Sequence, residues 1–349
     1  MELSDIIVKV ILIVVIFLIS LVVAMYSTYA ERKIAAFFQD RVGPNRAGPF
    51  GILQPMADGA KMFMKEEIIP NRASGLLFIV GPSLAIMTAC IGSAVIPWGQ
   101  SMQIGSKVID LQVTDINVGI LYIFGVVSLG VYGIMIGGWA SNNKYSLLGA
   151  IRAASQNISY EISMGLSIIA LLLISGTLSL KEIAEQQHGF WANGYFTWNF
   201  FKQPLGFLIF IVCAFAETNR SPFDLPECET ELVGGYHTEY SSMKLGFYLF
   251  AEYINMFISS AVMATLYFGG YNYPGMDWVT AHVGPVIGPI IGVVALFIKI
   301  FAFIFFFMWV RWTIPRFRYD QLMNLGWRTL IPLAIANIVL TGVISYLLK

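Results

Sequence analysis

The sequence predicts an all-α integral membrane protein of about eight transmembrane helices, with interfacial amphipathic helices in its first long loop. Three observations predict it. Of 349 residues, 57% are hydrophobic and only 12% are charged, where a soluble domain carries about 25% charged residues. The mean hydropathy of +0.71 leaves too little polar surface to coat a globule in water. The apolar residues also gather into runs near the ~17–25 residues that a bilayer demands. Formal net charge is zero and no run of five basic residues occurs, so no nucleic-acid partner is expected. The three cysteines, Cys90, Cys213 and Cys228, are far apart and form no C-x-x-C. This argues against an iron–sulfur or other metal site in the chain, and Cys90 and Cys213 read as small apolar fillers.

The expected spans are 6–27, 76–97, 117–138, 157–178, 204–219, 245–268, 285–310 and 328–348, within one domain covering 1–349. The first follows an acidic leader, Met1-Glu2-Leu3-Ser4-Asp5, and is expected to be a retained helix rather than a signal peptide. The fifth is the shortest. In the loop 30–75, Ile34, Phe37 and Phe38 fall at i, i+3 and i+4 among Arg32, Lys33, Asp40 and Arg41, the pattern of a short helix lying in the interface. Gly43-Pro44-Asn45 and Gly48-Pro49 break it. Asp58 is expected to start a second amphipathic stretch, with Phe63 and Met64 opposite Lys61 and Lys65, ended by Pro70. Loops after the odd-numbered spans hold fifteen Lys and Arg, against five on the other side. That asymmetry makes the odd loops cytoplasmic and puts both termini on the opposite side. Loop 179–203, with Phe190, Trp191, Phe196 and Trp198, and loop 269–284, with Tyr271, Tyr273 and Trp278, read as interfacial segments without chemistry.

Charges inside spans cost from about 2.5–3.5 to 10–17 kcal/mol at the bilayer centre and persist where partners or water compensate. Glu161 falls a few residues into the fourth span, Glu217 closes the fifth, Glu252 lies within the sixth and Lys299 is near the middle of the seventh. Snorkelling toward the headgroups is the bland alternative, more so for the long Lys299 stem. The densest signal is Ala216-Glu217-Thr218-Asn219-Arg220-Ser221-Pro222-Phe223-Asp224-Leu225-Pro226-Glu227-Cys228-Glu229-Thr230-Glu231-Leu232. Its prolines forbid a regular helix, and irregular backbone at that depth is tolerated only when buried in protein or lining a wet cavity. Extended, Glu227, Glu229 and Glu231 share one face; helical, Glu227 and Glu231 do. Two carboxylates about 6 Å apart at an effective dielectric of about 20 repel by roughly 3 kcal/mol, enough to bring one such acid toward neutral pH. A solvated acidic loop is the bland alternative, and no EF-hand spacing supports a cation site. His188, His237 and His282 have no metal-ligand spacing. His237, just past the acidic loop, could titrate usefully or be a plain surface histidine.

Five motifs in order cover essentially the whole chain. They are Glu31-Arg32-Lys33 with Arg41-Val42-Gly43-Pro44-Asn45-Arg46-Ala47-Gly48-Pro49, and Leu53-Gln54-Pro55-Met56-Ala57-Asp58-Gly59-Ala60-Lys61. Then come Arg152-Ala153-Ala154-Ser155-Gln156-Asn157-Ile158-Ser159-Tyr160-Glu161, the acidic loop itself, and Pro315-Arg316-Phe317-Arg318-Tyr319-Asp320-Gln321-Leu322-Met323. Together they resemble the family of quinone-site membrane subunits of respiratory complex I, the bacterial NADH:quinone oxidoreductase. The resemblance implies a component of a proton-translocating enzyme in the bacterial cell inner membrane, carrying no redox centre of its own. Quinone would be its substrate, while iron–sulfur clusters, FMN and NADH would reside in partner subunits. It further implies that Glu31, Arg32, Arg41, Asp58 and Phe223 border a quinone tunnel. Arg220, Asp224, Glu227, Glu229 and Glu231 would form a coupling loop, and Glu161, Glu217, Glu252 and Lys299 a proton path. Implied partners are peripheral-arm subunits carrying the terminal iron–sulfur cluster, small and antiporter-like membrane subunits, and lipid. A homologous subunit of a hydrogenase or other donor-linked dehydrogenase is the nearest rival. A secondary ion transporter is another, though it should show inverted repeats and paired broken helices. A purely structural anchor would have no need of Glu161, Glu252 and Lys299.

Overall fold

The computed structural model describes residues 3–104, 107–189, 197–284 and 286–347. Phe190, Trp191 and Phe196 of the expected interfacial loop lie outside the described residues.

Helix α1 runs unbroken over Leu3–Phe38. Its 36 residues reach about 54 Å at 1.5 Å per residue, well beyond a hydrocarbon core of about 30 Å. The separate interfacial helix expected at 34–38 is therefore the last turns of α1. No glycine or proline interrupts the chain before Gly43, so nothing stops the helix at the membrane edge. Helix α2, Gln54–Met64, starts four residues before Asp58, with Pro55 in its first turn, and ends well short of Pro70. Helix α3 is Gly75–Ile91, and a two-strand hairpin, β1 Met102–Ile104 and β2 Lys107–Ile109, precedes α4, Gly119–Ala140.

Helix α5 covers Lys144–Ser175. It begins thirteen residues before the expected 157, where the Asn143 side chain accepts the Tyr145 amide at 2.9 Å and caps the first turn. Gly176, at φ 68°, closes its other end. Glu161 consequently sits at mid-helix. Short helices α6, Leu180–Gln186, and α7, Asn199–Lys202, lead to α8, Pro204–Glu217. With 14 residues, α8 spans about 21 Å, so it is a short apolar helix beside the seven that, among the described residues, are long and apolar enough to cross a membrane.

After α8 come the one-turn α9, Glu229–Leu232, then α10, Ser242–Tyr267, α11, Met276–Val283, and α12, Ile287–Thr313. Helix α13, Tyr319–Asn324, runs through a π-helical segment, Leu325–Leu330, into α14, Ile331–Leu347. The last apolar helix thus starts at Tyr319 rather than 328. Helix α10 is the hub: 72% of its apolar window is buried, against 17–44% in the other six spans. Its inward face carries Ala251, Glu252, Ile254, Phe257 and Ala261. Helix α1 shows the reverse, with Ile7, Val10, Ile11, Val14 and Leu18 turned outward, as an apolar helix facing lipid should be.

Candidate functional site

A cavity of about 810 Å³ opens between α1, α2, α10 and α12. Met25, Leu249, Phe250 and Trp312 are among its apolar lining, and Glu31, Arg32, Asp58 and Tyr253 among its polar lining. Arg32 Nη1 donates to Asp58 Oδ2 at 2.7 Å, and Gln54 Nε2 donates to Asp58 Oδ1 at 3.2 Å. Arg32 remains half exposed, so this pair orients groups at the cavity more than it stabilises the fold.

Glu31 is buried and over-partnered. Its Oε1 meets Arg311 Nη1 at 2.7 Å, while Oε2 accepts from the Tyr253 hydroxyl at 2.8 Å and from Arg220 Nη1 at 3.4 Å. Arg220 lies over the Tyr253 ring, 4.1 Å from its centroid. Its other nitrogen, Nη2, is 3.9 Å from Glu252 Oε2, and Glu252 Oε1 accepts from the Tyr236 hydroxyl at 3.0 Å. One guanidinium therefore bridges the carboxylate of the cavity wall and the carboxylate of the helical hub. Burial pulls Arg220 down, but Tyr253, Glu31, Glu252 and Glu227 outweigh burial and hold it more firmly charged than a free arginine.

The loop that carries Arg220 is fixed from two sides, by α5 and by the segment after α12. Gln156 of α5 donates to the carbonyls of Ala216 and Phe223 at 2.7 and 2.8 Å. Arg316, beyond α12, donates to Asp224 Oδ2 at 2.8 Å, and the Phe317 amide donates to the Pro222 carbonyl at 3.2 Å. Phe223 is buried between the rings of Tyr160 and Phe317, 5.3 and 5.5 Å away, so its side chain packs against α5 and not into the large cavity. Asp224 is buried and its Oδ1 has no partner. Burial and the neighbouring Glu227 push its carboxyl up to about 7, against the pull of Arg316, Arg311 and Arg220.

Of the three alternating glutamates, Glu227 and Glu231 go to different partners. Glu227 is half-buried, lies within hydrogen-bonding reach of Glu252, and has His237 Nδ1 3.7 Å from its Oε1. Glu231 is exposed and takes Arg152 Nη1 at 2.6 Å. The Glu229 side chain lies outside the described set. Neither the extended nor the helical arrangement expected from the sequence holds, because Glu227 precedes the single turn of α9 in which Glu231 sits. The partner that Glu227 meets comes from α10 instead.

Glu217, at the end of α8, borders two cavities. One, about 560 Å³, is mostly apolar. The other, about 450 Å³, also borders Asn157, Asn219, Asn255 and Glu252, so Glu217 and Glu252 face one polar space. Glu161 is hydrogen-bonded by Ser128 of α4 and borders a lateral groove of about 820 Å³ between α4 and α5. Lys299 goes elsewhere. Its Nζ donates to the carbonyls of Phe268, Gly270 and Asn272 at 2.7, 2.7 and 2.5 Å, with the Trp198 ring 5.1 Å away. It holds the turn after α10 and is not brought to the acids. Arg41 is exposed on the loop after α1. Among the described residues no three His, Cys, Asp or Glu side chains are grouped to hold a metal ion.

Sequence reasoning missed Arg311, Arg316, Tyr253 and Tyr236. Arg311 and Arg316 counted only as loop cations, although a cation at the end of an apolar helix is itself a signal. Tyr253 was detectable only as the neighbour of Glu252.

A family model described as NADH dehydrogenase matches residues 10–342. The chain is 66% identical over 334 residues to the first H-type subunit of NADH-quinone oxidoreductase from Cytophaga hutchinsonii, covering 96% of this chain and 95% of that protein. It is 64% identical over 344 residues to the H-type subunit of NADH-quinone oxidoreductase from Flavobacterium johnsoniae, covering 99% and 97%. The corresponding protein of Flavobacterium psychrophilum is 65% identical over 349 residues, with both chains covered entirely. With the model match and these relatives spanning nearly the whole chain, the chain belongs to the NADH dehydrogenase family and, within it, to the H-type subunits of NADH-quinone oxidoreductase.

Proposed function

We propose that this chain is the quinone-site membrane subunit of a proton-translocating NADH:quinone oxidoreductase. The observation that carries the reading is the cavity of about 810 Å³, lined mostly by apolar groups and also by Glu31, Arg32, Asp58 and Tyr253. A quinone is an apolar tail on a ring with two carbonyl acceptors. Such a cavity suits it: Arg32 offers donors to a carbonyl oxygen, Asp58 orients Arg32, and the Tyr253 hydroxyl is held by Glu31. Quinone is the substrate, and the electron donors, an iron–sulfur chain, FMN and NADH, belong to partner subunits of the peripheral arm.

Reduction of the ring takes up two protons and builds negative charge beside Glu31. Charge there weighs on Arg220, which Glu31 shares with Glu252. Glu252 exchanges with Glu227 on the loop and, through the polar cavity, with Glu217. Glu161, on the groove between α4 and α5, continues the path toward small and antiporter-like membrane subunits. Arg41, Phe223, Asp224, Glu229, Glu231 and Lys299 support the tunnel, the coupling loop and the far-side turn of this path. The chain works as one domain in the bacterial inner membrane, with both termini periplasmic and the loops after α1 and α8 cytoplasmic. In assembled complex, Arg32→Ala and Asp58→Asn raise KM for quinone and lower quinone reduction, while electron transfer from NADH to ferricyanide is kept. Unchanged quinone kinetics in both variants would remove the quinone from this cavity.

A further inference from the structure

His237 stands at the end of the acidic loop, in the 3₁₀ turn Gly235–His237 between α9 and α10. Its imidazole is half-buried, with Nδ1 3.7 Å from Oε1 of the half-buried Glu227. Both atoms are buried and, among the described residues, neither has a hydrogen-bond partner. Two orphaned polar atoms that face each other across a gap somewhat longer than a hydrogen bond are an unusual expenditure in a protein interior. A closure of under about 1 Å would make the bond. The remaining surroundings are accounted for. The Tyr236 ring meets the imidazole edge-on at 5.1 Å. Behind Glu227 lie Glu252, Asp224 and Arg220. Helix α4, which packs against this turn, carries no charged residue. From α5, Arg152 is committed to Glu231, Asn143 to Glu239 at 2.6 Å, and Lys144 is exposed. At the start of α10, Lys244 is paired with Glu67. Among the described residues His237 therefore has one acidic partner, and that partner reaches Glu252 within the membrane hub.

We propose that His237 is the proton carrier between the outer face of this loop and the buried pair Glu227–Glu252. The inference rests on the proton-coupling reading above and adds to it a residue and a direction of exchange. The step is a simple transfer. The imidazolium gives its Nδ1 proton to Oε1 of the Glu227 carboxylate, leaving neutral imidazole and a neutral acid, and water on the loop face then reprotonates the ring. Imidazole suits this because it ordinarily changes charge between pH 5 and 8, where most carboxyl and ammonium groups do not. The 3.7 Å gap holds the two groups apart until the loop shifts, so exchange depends on loop position.

The test uses the whole complex carrying His237→Asn, which keeps a polar side chain of similar size, and His237→Ala. Proton-coupled quinone reduction falls by about tenfold. That is less than the ~100-fold low end for a positioned acid or base, because water still delivers protons slowly. The deficit grows as pH rises, and added imidazole speeds the His237→Ala complex but not the unmodified one. A second readout needs no quinone: time-resolved infrared spectra of the resting complex after an acid jump show a carboxyl-protonation band that Glu227→Gln removes and whose appearance His237→Asn slows about tenfold. Unaltered pH profiles, a slow His237→Ala complex indifferent to imidazole, or an infrared signal blind to His237→Asn would each overturn the proposal. If the quinone assignment itself is wrong, the Arg32 and Asp58 variants show it in quinone kinetics, while the infrared arm still reads the His237–Glu227 contact.

Discussion

Replacing Arg220 with Met removes the one cation shared by Glu31 and Glu252. The two carboxylates are not left equally. Glu31 keeps Arg311 at 2.7 Å and the Tyr253 hydroxyl at 2.8 Å, whereas among the described residues Glu252 keeps the Tyr236 hydroxyl at 3.0 Å and a second acid, Glu227. Stranding one member of a buried ion pair costs about 3–5 kcal/mol, and losing the guanidinium over Tyr253 takes away up to about 2 kcal/mol more. Since Arg220 sits 3.9 Å from Glu252, a loose contact, the low end of the first range, about 3 kcal/mol, is the expectation. At roughly 1.4 kcal/mol per decade this is about a 100-fold rise in hydrogen exchange at amides of 216–224, read by mass spectrometry on the purified complex. Adding Glu252→Gln recovers most of the lost protection, because an amide has no charge to strand. Adding Glu31→Gln recovers little. Arg220→Lys falls between, since one ammonium cannot fork to two carboxylates. A rise under about fivefold, or better recovery from Glu31→Gln than from Glu252→Gln, would refute the bridge.

Asp224 gives a pH signature. Its ordinary value is 3.8 and burial, with Glu227, pushes it up to about 7 in the folded protein. Below about 4 both folded and unfolded chains hold the proton. Between 3.8 and about 7 the unfolded chain releases it while the folded one keeps it, so this group's stabilisation declines as pH rises and is gone above about 7. Asp224→Asn flattens that decline in the exchange protection of the loop, and a slope that persists in the variant would exclude Asp224 as its source. Gly149 of α5 lets the acidic loop lie against the helix: a Cβ there would meet the Tyr236 amide nitrogen at 2.7 Å and the Pro226 carbonyl at 2.9 Å, both backbone. Gly149→Ala costs about 1–3 kcal/mol and loosens the loop, while Gly165→Ala, whose Cβ has nothing within 4 Å, stays within about 0.5 kcal/mol. Equal thermal midpoints for the two variants would show the close approach to be unimportant.

The fold was legible where one rule dominates. Hydropathy located the long helices, since a bilayer allows few alternatives to an apolar helix of sufficient length. It failed at their ends. Nothing in the composition near Ala30 marks a membrane boundary as a helix boundary, so α1 runs on to Phe38; the Asn143 cap, which moves the start of α5 to Lys144, lies among polar residues that read as loop. These shifts matter, because they place Glu161 at mid-helix beside Ser128 and put Glu31 on the same rigid element that lines the cavity. Spacing along the chain predicts that Glu227, Glu229 and Glu231 crowd one another, which Glu227 and Glu231 do not. It could not show that the turn before α9 sends Glu227 toward α10 and Glu231 toward Arg152. Tertiary partners of acids come from other elements, and a single sequence carries no record of them.

The same limit explains why the arginines were undervalued. A loop cation counts toward orientation whichever way it points, yet Arg220, Arg311 and Arg316 all turn inward onto Glu31, Glu252 and Asp224. The irregular backbone is what permits it. A helix continuing past Glu217 would project Arg220 at a fixed angle and a fixed rise of about 1.5 Å per residue. The loop instead folds back so that Arg220 enters the space between α1 and α10, with Gln156 and Phe317 taking up backbone groups that leaving the helix exposes. Pro222 and Pro226 make that departure from helix obligatory, so the feature that reads as a break in the span is the one that brings a cation between two buried acids. On the proposed reading, coupling between cavity and hub would need no long-range rearrangement, because the guanidinium of Arg220 lies 3.4 Å from Glu31 and 3.9 Å from Glu252.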